Sequence, residues 1–296
     1  LIADPISEKG LEVLRNEGLE VVLQIGLNSA SLKAIIPEYT GLLVRSETKV
    51  TADILFHADK LQVIGRAGVG LDNIDVDAAT KKGIIVMNTP EGNTNTTAEH
   101  ALSMLLALAR HIPQATKSLK NNKWEKKRFV GVEILGKTLG IIGIGRIGSS
   151  LAKKALALGM SVIAYDPYIP TEVANKMAVR LVELNTLLAE SDFISIHVPI
   201  TEETKQMLGQ EEFKIVKKGL RIINCARGGI IDEEALCQAI KAGRIAGAGL
   251  DVFQQEPPSG NPLLELEEVI CTPHLGASTE EAEEKVSISI AKQLAD

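Results

Sequence analysis

Two histidines in this chain of 296 residues follow directly on short apolar runs, His197 after FISI and His274 after VICTP. The other three, His57, His100 and His111, fall in helical patterns, where a structural role is the simpler reading. Asn224 and Arg227 follow LRII in the same way, and Asp251 follows AGAGL. Ligands of open α/β sheets bind outside the carboxyl ends of the strands, so residues at these positions gather on one rim. Such a set can exchange a hydride between an alcohol and a carbonyl. A histidine titrating near about pH 6.5 moves the proton. An arginine fork holds a carboxylate or a developing oxyanion. A carboxylate on the far ring nitrogen orients the imidazole and favours its charged form. Spacing alone leaves open which of the two histidines acts.

The hydride needs a carrier, and the sequence supplies a place for one. Gly143, Gly145 and Gly148 form G-I-G-R-I-G directly after the apolar run TLGII and directly before the helical pattern RIGSSLAKKALALG. In that setting the first glycine permits a tight turn, the second lets backbone approach a pyrophosphate, and the third lets helix and strand pack closely. The helix N-terminus then offers its amides and dipole to the phosphates. Asp166 ends the next strand-like run, 18 residues beyond Gly148, close to the ~20 expected of a carboxylate that binds ribose hydroxyls. Pro167 and Tyr168 follow it rather than an arginine, so repulsion of a 2′-phosphate favours NAD over NADP.

The elements that must position these groups read as α/β. From Leu1 to Asn88 apolar runs (LIAD, LEVVL, GLLVR, LQVIGRA, IIVMN) alternate with helical patterns, and a second such rhythm runs from TLGIIGIG to VICTPHLG. Two doubly wound parallel sheets follow, consistent with about 150 residues per domain. Residues 94–110 (TAEHALSMLLALAR after its cap) are apolar on nearly every side, so the helix is expected to be buried all round, between two subunits rather than two domains. The polar, basic stretch KSLKNNKWEKKRFVG, 117–131, reads as the boundary between the two rhythms. Ser278 stands three residues before Glu281, a capping-box spacing that opens a final helix.

Composition narrows the class. Thirty-two Lys and Arg against 38 Asp and Glu give a net charge of −6, which lacks the overall basic footprint of a nucleic-acid binder. No apolar run reaches the ~18 residues of a membrane span. The three cysteines show no C-x-x-C spacing, which argues against a disulfide framework or a structural metal and fits a reducing, cytoplasmic setting. Leu1 already opens a strand-like run, so a preceding segment is expected and an organellar targeting peptide stays open.

The runs NCARGGIIDEEAL (224–236), GLDVFQQEPP (249–258) and TPHLGAS (272–278), in that order after GIGRIG, closely resemble the D-isomer-specific 2-hydroxyacid dehydrogenases. The resemblance covers essentially the whole chain. It implies that Arg227, Glu256 and His274 are catalytic, with His274 the proton donor and acceptor, Glu256 its carboxylate partner and Arg227 the cation for the substrate. It moves His197 to the cofactor. The cofactor set it implies is Val69, then Gly143, Gly145, Arg146, Ile147 and Gly148, then Asp166, then His197, Val198 and Pro199, then Cys225, Ala226 and Arg227, and finally Asp251, His274, Gly276 and Ala277. The segments GLLVRSETKVTADI, VIGRAGVGLDNIDVDAATKKGIIVMNTP and KWEKKRF resemble a branch whose substrate is a phosphorylated 2-hydroxy acid. That branch implies substrate contacts from Arg45, Ser46, Gly70 and Asn93, with Arg66 beside them. The cluster Lys126, Lys127 and Arg128 reads first as a solvated basic loop, and as a second phosphate cation from a neighbouring subunit in the alternative.

Family architecture implies a Rossmann NAD-binding domain, residues 92–274, inserted into a discontinuous flavodoxin-like substrate domain, residues 1–91 and 275–296. Two chain crossings would then act as hinges, and closure would exclude water. No metal is expected, and the partners are a small-molecule substrate and further copies of the chain in a homodimer or homotetramer. Relatives that reduce glyoxylate, hydroxypyruvate or pyruvate share the catalytic set and differ in the pocket. Nucleotide-sensing corepressors on the same fold are the alternative from another class.

Overall fold

The computed structural model describes all 296 residues, Leu1–Asp296. They divide into two compact units, one made of Leu1–Thr94 with Ala277–Asp296, the other of Asn95–Gly276. No helix is long and apolar enough to cross a membrane.

In the first unit β1 (Gly41–Val44), β2 (Val63–Arg66) and β3 (Ile85–Asn88) form a parallel sheet in that order. The apolar runs LIAD and LEVVL extend it only as bridges: Ile2 pairs with both Leu23 and Leu43. The spatial order is therefore Leu23, Ile2, β1, β2, β3, with the first segment of the chain between the second and third. Alternate residues of β1 serve two cores. Leu42 and Val44 pack with Ile54, Leu55 and Ile64, whereas Leu43 packs with Ile2, Leu11, Val286 and Ile290. The second layer joins the helices Glu8–Asn16 and Glu280–Ala295. They approach so closely that a Cβ on Gly10 would lie 2.9 Å from Ser287 Cβ. Helix starts follow local chemistry: Ser7, Asn28, Thr51 and Asp75 each accept a hydrogen bond from an amide in the first turn. The final helix is capped by Thr279, which accepts from Ala282 N–H. The helix thus starts one residue later than the expected Ser278 box, and with Ala282 at the third position there is a cap but no box.

The second unit holds β4 (Thr138–Ile142), β5 (Ser161–Tyr165), β6 (Arg180–Leu181), β7 (Phe193–Ile196), β8 (Leu220–Asn224), β9 (Ile245–Leu250) and β10 (Val269–Cys271). All pair in parallel in the order β6-β5-β4-β7-β8-β9-β10. Strand order reverses between β4 and β7, which is where such sheets take their ligand. Both faces are covered: Leu139 and Ile141 point into one core and Ile142 into the other. That explains why these strands read as continuous apolar runs rather than alternating ones.

Within the single chain the helix Thr94–Arg110 buries only part of its surface; the expectation that a second subunit covers the rest concerns a partner chain. Ala98, Ala101, Met104, Leu105, Leu108 and Ala109 are buried, while Asn95, Glu99, Ser103, Leu106 and Arg110 form an exposed stripe. Segment 117–131 is not a boundary, because all of it lies inside the second unit. The Val132 amide bonds to Ala109 O at 2.9 Å, and a Cβ on Gly131 would sit 2.3 Å from that same oxygen, so the stretch is tied to the preceding helix.

Candidate active site

The glycine turn is built for a close approach. Gly143 has φ +88°, and a Cβ there would lie 2.6 Å from His197 O; a Cβ on Gly148 would lie 2.1 Å from Gly143 O. Gly145 instead faces open space, with nothing within 4 Å of where its Cβ would be. It starts the helix Arg146–Ala157 without any side-chain cap, and the ligand that suits such a terminus is an anion. Asp166 braces the turn: Oδ2 accepts Ile144 N–H at 2.9 Å and Oδ1 accepts Tyr168 N–H at 2.9 Å. Each carboxylate oxygen retains acceptor capacity for a ribose hydroxyl. The open cradle, the uncapped helix start and the braced carboxylate together fit a dinucleotide.

The structure sets the two histidines apart. His197 closes β7, and its Nε2 lies 2.8 Å from Ser195 Oγ. Its Nδ1 is buried without a partner, and burial lowers its pKa from 6.5 to about 4. That ring is neutral at physiological pH and ill-suited to trade protons. Val198 and Pro199 follow it in the loop, where Pro199 O accepts Thr204 Oγ–H at 2.6 Å.

His274 stands in a different setting. Its Nδ1 lies 2.9 Å from Glu256 Oε2, with both side chains roughly half exposed. Glu256 is fixed in turn by the Phe253 amide, which donates to Oε1 at 3.1 Å. With Nδ1 engaged, Nε2 is the ring atom available to a reacting hydroxyl. The backbone of His274 is left-handed at φ 58°, a conformation that costs a non-glycine residue energy and needs surrounding structure to hold it. Asp251 does that. The His274 amide bonds to Asp251 O at 2.9 Å, while Leu275 N–H and Gly276 N–H donate to Oδ1 and Oδ2 at 2.7 and 2.8 Å.

Asp251 is fully buried at the end of β9 and also accepts Thr272 Oγ–H at 2.6 Å. Burial would raise its pKa. Hydrogen bonds from His100, Thr272 and Leu275, with the charge of His100, outweigh that and hold it below the usual carboxylate range. His100 Nε2 lies 3.2 Å from Asp251 Oδ1 and 3.1 Å from Thr272 Oγ1. Sequence reasoning set His100 aside as a helix residue; its neighbourhood could be found only once β9 and β10 were placed beside that helix. Cys225 Sγ completes a group with His100 and Asp251 whose ligating atoms lie within 4.8 Å of one another. Those atoms are the ones a metal would have to use. Asp251 is already occupied by four donors, however, and burial together with Asp251 pushes the Cys225 thiol pKa up, so it stays protonated.

Arg227 sits on a loop held by the buried side chain of Asn224. Asn224 Oδ1 accepts Ala226 N–H at 3.0 Å, and its Nδ2 donates to Arg227 O at 2.9 Å. The Arg227 Nη1 donates to Ala226 O at 2.7 Å. Gly228 then allows contact with the next loop, since a Cβ there would lie 1.8 Å from Phe253 O.

In the first unit Arg45 follows β1. Asp4, buried, accepts Arg45 N–H at 2.6 Å and Thr48 Oγ–H at 2.6 Å. Asn73 Nδ2 donates to Arg45 O and Thr48 O, both at 2.7 Å. Neither Asp4 nor Asn73 was among the sequence candidates, although Asp4 ends an apolar run as the others do. Ser46 is exposed on the same loop. Arg66 ends β2, and the following Val69–Gly70 turn is held by Asn88 Nδ2 on Val69 O at 2.6 Å. Asn93 carries a buried Oδ1 without a partner. Ala277 opens the second piece of this unit. Arg128 pairs with Glu267 and Glu125, which compensates its charge within its own unit.

Residues 102–276 match the family described as D-isomer specific 2-hydroxyacid dehydrogenase, NAD binding domain. The chain belongs to that family, an α/β family whose cofactor is NAD. Two relatives named D-3-phosphoglycerate dehydrogenase, from Methanocaldococcus jannaschii and Archaeoglobus fulgidus, are 52% and 51% identical over 99% of this chain. The chain spans 56% of the length of each. A solved D-lactate dehydrogenase from Aquifex aeolicus, complexed with NAD and lactic acid, superposes with a TM-score of 0.82 at 32% identity, covering 96% of this chain and 89% of that one.

Proposed function

We propose that this chain carries the catalytic machinery of a D-3-phosphoglycerate dehydrogenase, which interconverts 3-phospho-D-glycerate and 3-phosphohydroxypyruvate at the entry to serine synthesis. The observation that carries the chemistry is the His274–Glu256 pair at 2.9 Å on a rim that also bears Arg227. The substrate is argued from the relatives of that name, about half identical over the whole chain.

NAD, when bound, supplies the hydride acceptor. Gly145 and the start of the helix Arg146–Ala157 would hold its phosphates, and Asp166 its ribose. In the oxidative direction Nε2 of His274 takes the substrate hydroxyl proton as the hydride leaves C2. Glu256 keeps the ring oriented and faces the positive charge that proton uptake creates. Arg227 holds the carboxylate and the oxygen that becomes the carbonyl. Arg45, Ser46, Gly70 and Asn93, with Arg66, are assigned to the substrate, and Arg45 to its phosphate.

Further copies of the chain are part of the same reading. Leu106, Ile112, Leu119, Trp124, Val130 and Leu135 are each exposed between positions 106 and 135, which supports burial of this segment against a second copy; light scattering that finds only monomers would remove it. The three cysteines are free thiols, which supports a cytoplasmic setting.

Turnover of NADH at 340 nm with 3-phosphohydroxypyruvate, hydroxypyruvate, glyoxylate and pyruvate tests the substrate. A large preference in kcat/KM for the phosphorylated acid is expected. Preference for hydroxypyruvate or glyoxylate would keep the catalytic residues and remove the phosphate site, and turnover of none would favour a sensing module.

A further inference from the structure

The guanidinium of Arg45 already has an anion. Its Nη2 donates to Glu283 Oε1 at 3.0 Å, and both groups belong to the first unit. The Arg45 backbone is fixed by Asp4 and Asn73 as described, and its side chain is about three-quarters buried (26% exposed), so the arginine cannot readily move to a different partner. Glu283 lies on the first turn of the helix Glu280–Ala295, along with Glu280 and Glu281. Acidic residues there suit the helix dipole, but that requirement is met by Glu280 and Glu281 and does not call for contact with Arg45. Glu284, the next residue along, is taken by Lys9 at 2.8 Å. Glu283 thus differs from its neighbours in placing its charge on the one cation assigned to the substrate phosphate.

We propose that Glu283 is a built-in competitor for Arg45, a specificity-determining residue that acts through that arginine. The inference rests on the reading of Arg45 as the phosphate ligand. A phosphate monoester carries about 1.5 to 2 negative charges near neutral pH, against one on the carboxylate. The ester therefore displaces Glu283 or shares the arginine fork with it. A singly charged group offers no gain over a carboxylate already tethered in place. Glu283 consequently raises the KM for the phosphorylated substrate while leaving the chemical step untouched, and excludes weaker anions from the position.

The test is steady-state kinetics on Glu283→Gln, Arg45→Ala and the double variant, with 3-phosphohydroxypyruvate, hydroxypyruvate and, as a binding probe, inorganic phosphate as inhibitor. For Glu283→Gln the KM for the phosphorylated acid and the Ki for phosphate should fall roughly two- to fivefold, the range of a partly exposed ion pair. The kcat should hold, hydroxypyruvate should be unaffected, and the gain should vanish when Arg45 is absent. An unchanged or raised KM in Glu283→Gln, with Arg45→Ala still raising it, overturns the competitor and leaves the phosphate site standing. No effect of Arg45→Ala on either substrate overturns the phosphate site itself. A gain that persists without Arg45, or a change in kcat, overturns action through the arginine. Glu283→Ala must reproduce the pattern, which separates it from a fault in folding at a half-exposed position.

Discussion

Glu256 holds His274 at 2.9 Å with one carboxylate oxygen and takes the Phe253 amide at 3.1 Å with the other. A carboxylate anchored on backbone on one side has a single direction in which to hold the imidazole, and the far nitrogen is left to the substrate. Replacing His274 with alanine should lower kcat by about 10²- to 10⁴-fold, the usual contribution of a positioned acid or base. NAD affinity, read by quenching of protein or enhancement of NADH fluorescence, should stay within about twofold. Near-normal turnover would dismiss His274 from the proton step.

Asp251 is the second group on which that geometry depends. Its two oxygens accept Leu275 N–H, Gly276 N–H and Thr272 Oγ–H, all within 2.8 Å. Asparagine at this position would turn one acceptor into a donor facing a donor, at a cost of about 1–3 kcal/mol for the buried group left unpaired. The left-handed turn at His274 would lose its clamp. We expect Asp251→Asn to remain folded with a lowered melting temperature and to lose about 10²-fold in kcat, as a displacement on the order of 1 Å can do. Unaltered kcat would mean that the turn holds itself.

Cofactor choice should depend on Asp166, whose carboxylate stands at the end of β5 and braces the glycine turn at 2.9 Å. Asp166→Ala removes the charge that repels a 2′-phosphate. The ratio of kcat/KM with NAD to that with NADP should drop about tenfold or more, where tenfold corresponds to about 1.4 kcal/mol. An unchanged ratio measured in both coenzymes would detach Asp166 from the ribose.

Acid stability should carry the mark of His197. Burial lowers its pKa from 6.5 to about 4, so between these values the unfolded chain binds a proton that the native chain does not. Stability from this group is whole above about pH 6.5 and is lost as the pH falls toward 4. The full effect is about 3 kcal/mol at roughly 1.4 kcal/mol per pKa unit. Urea unfolding at pH 7 and pH 4.5, compared between the wild type and His197→Asn, should show a clearly shallower acid loss in the variant. Parallel curves would place the ring in a more solvated setting.

Local demands made part of this protein legible in sequence. Gly143 and Gly148 are readable because the positive φ of Gly143 and the approach of Gly148 to Gly143 O are properties of a few consecutive residues, and strands such as β4, β7, β8 and β9 because parallel strands buried on both faces must be apolar. The two-residue strand β6 offers too little pattern to detect. Resemblance, rather than spacing, singled out Glu256.

Tertiary structure decided the rest. Asp4 and Arg45 are 41 positions apart, His100 and Asp251 are 151 apart, and Arg45 and Glu283 are 238 apart; no local rule links such pairs until the sheets bring them within hydrogen-bond reach. Exposure likewise belongs to the fold: within the chain, a helix apolar on nearly every side leaves Leu106 uncovered. The amino-acid order fixes which groups stand at strand ends and which turns need glycine, because those are requirements of a few bonds. Which carboxylate meets which histidine or arginine is set by packing among distant elements, because a charge interaction depends on distance through space and not along the chain.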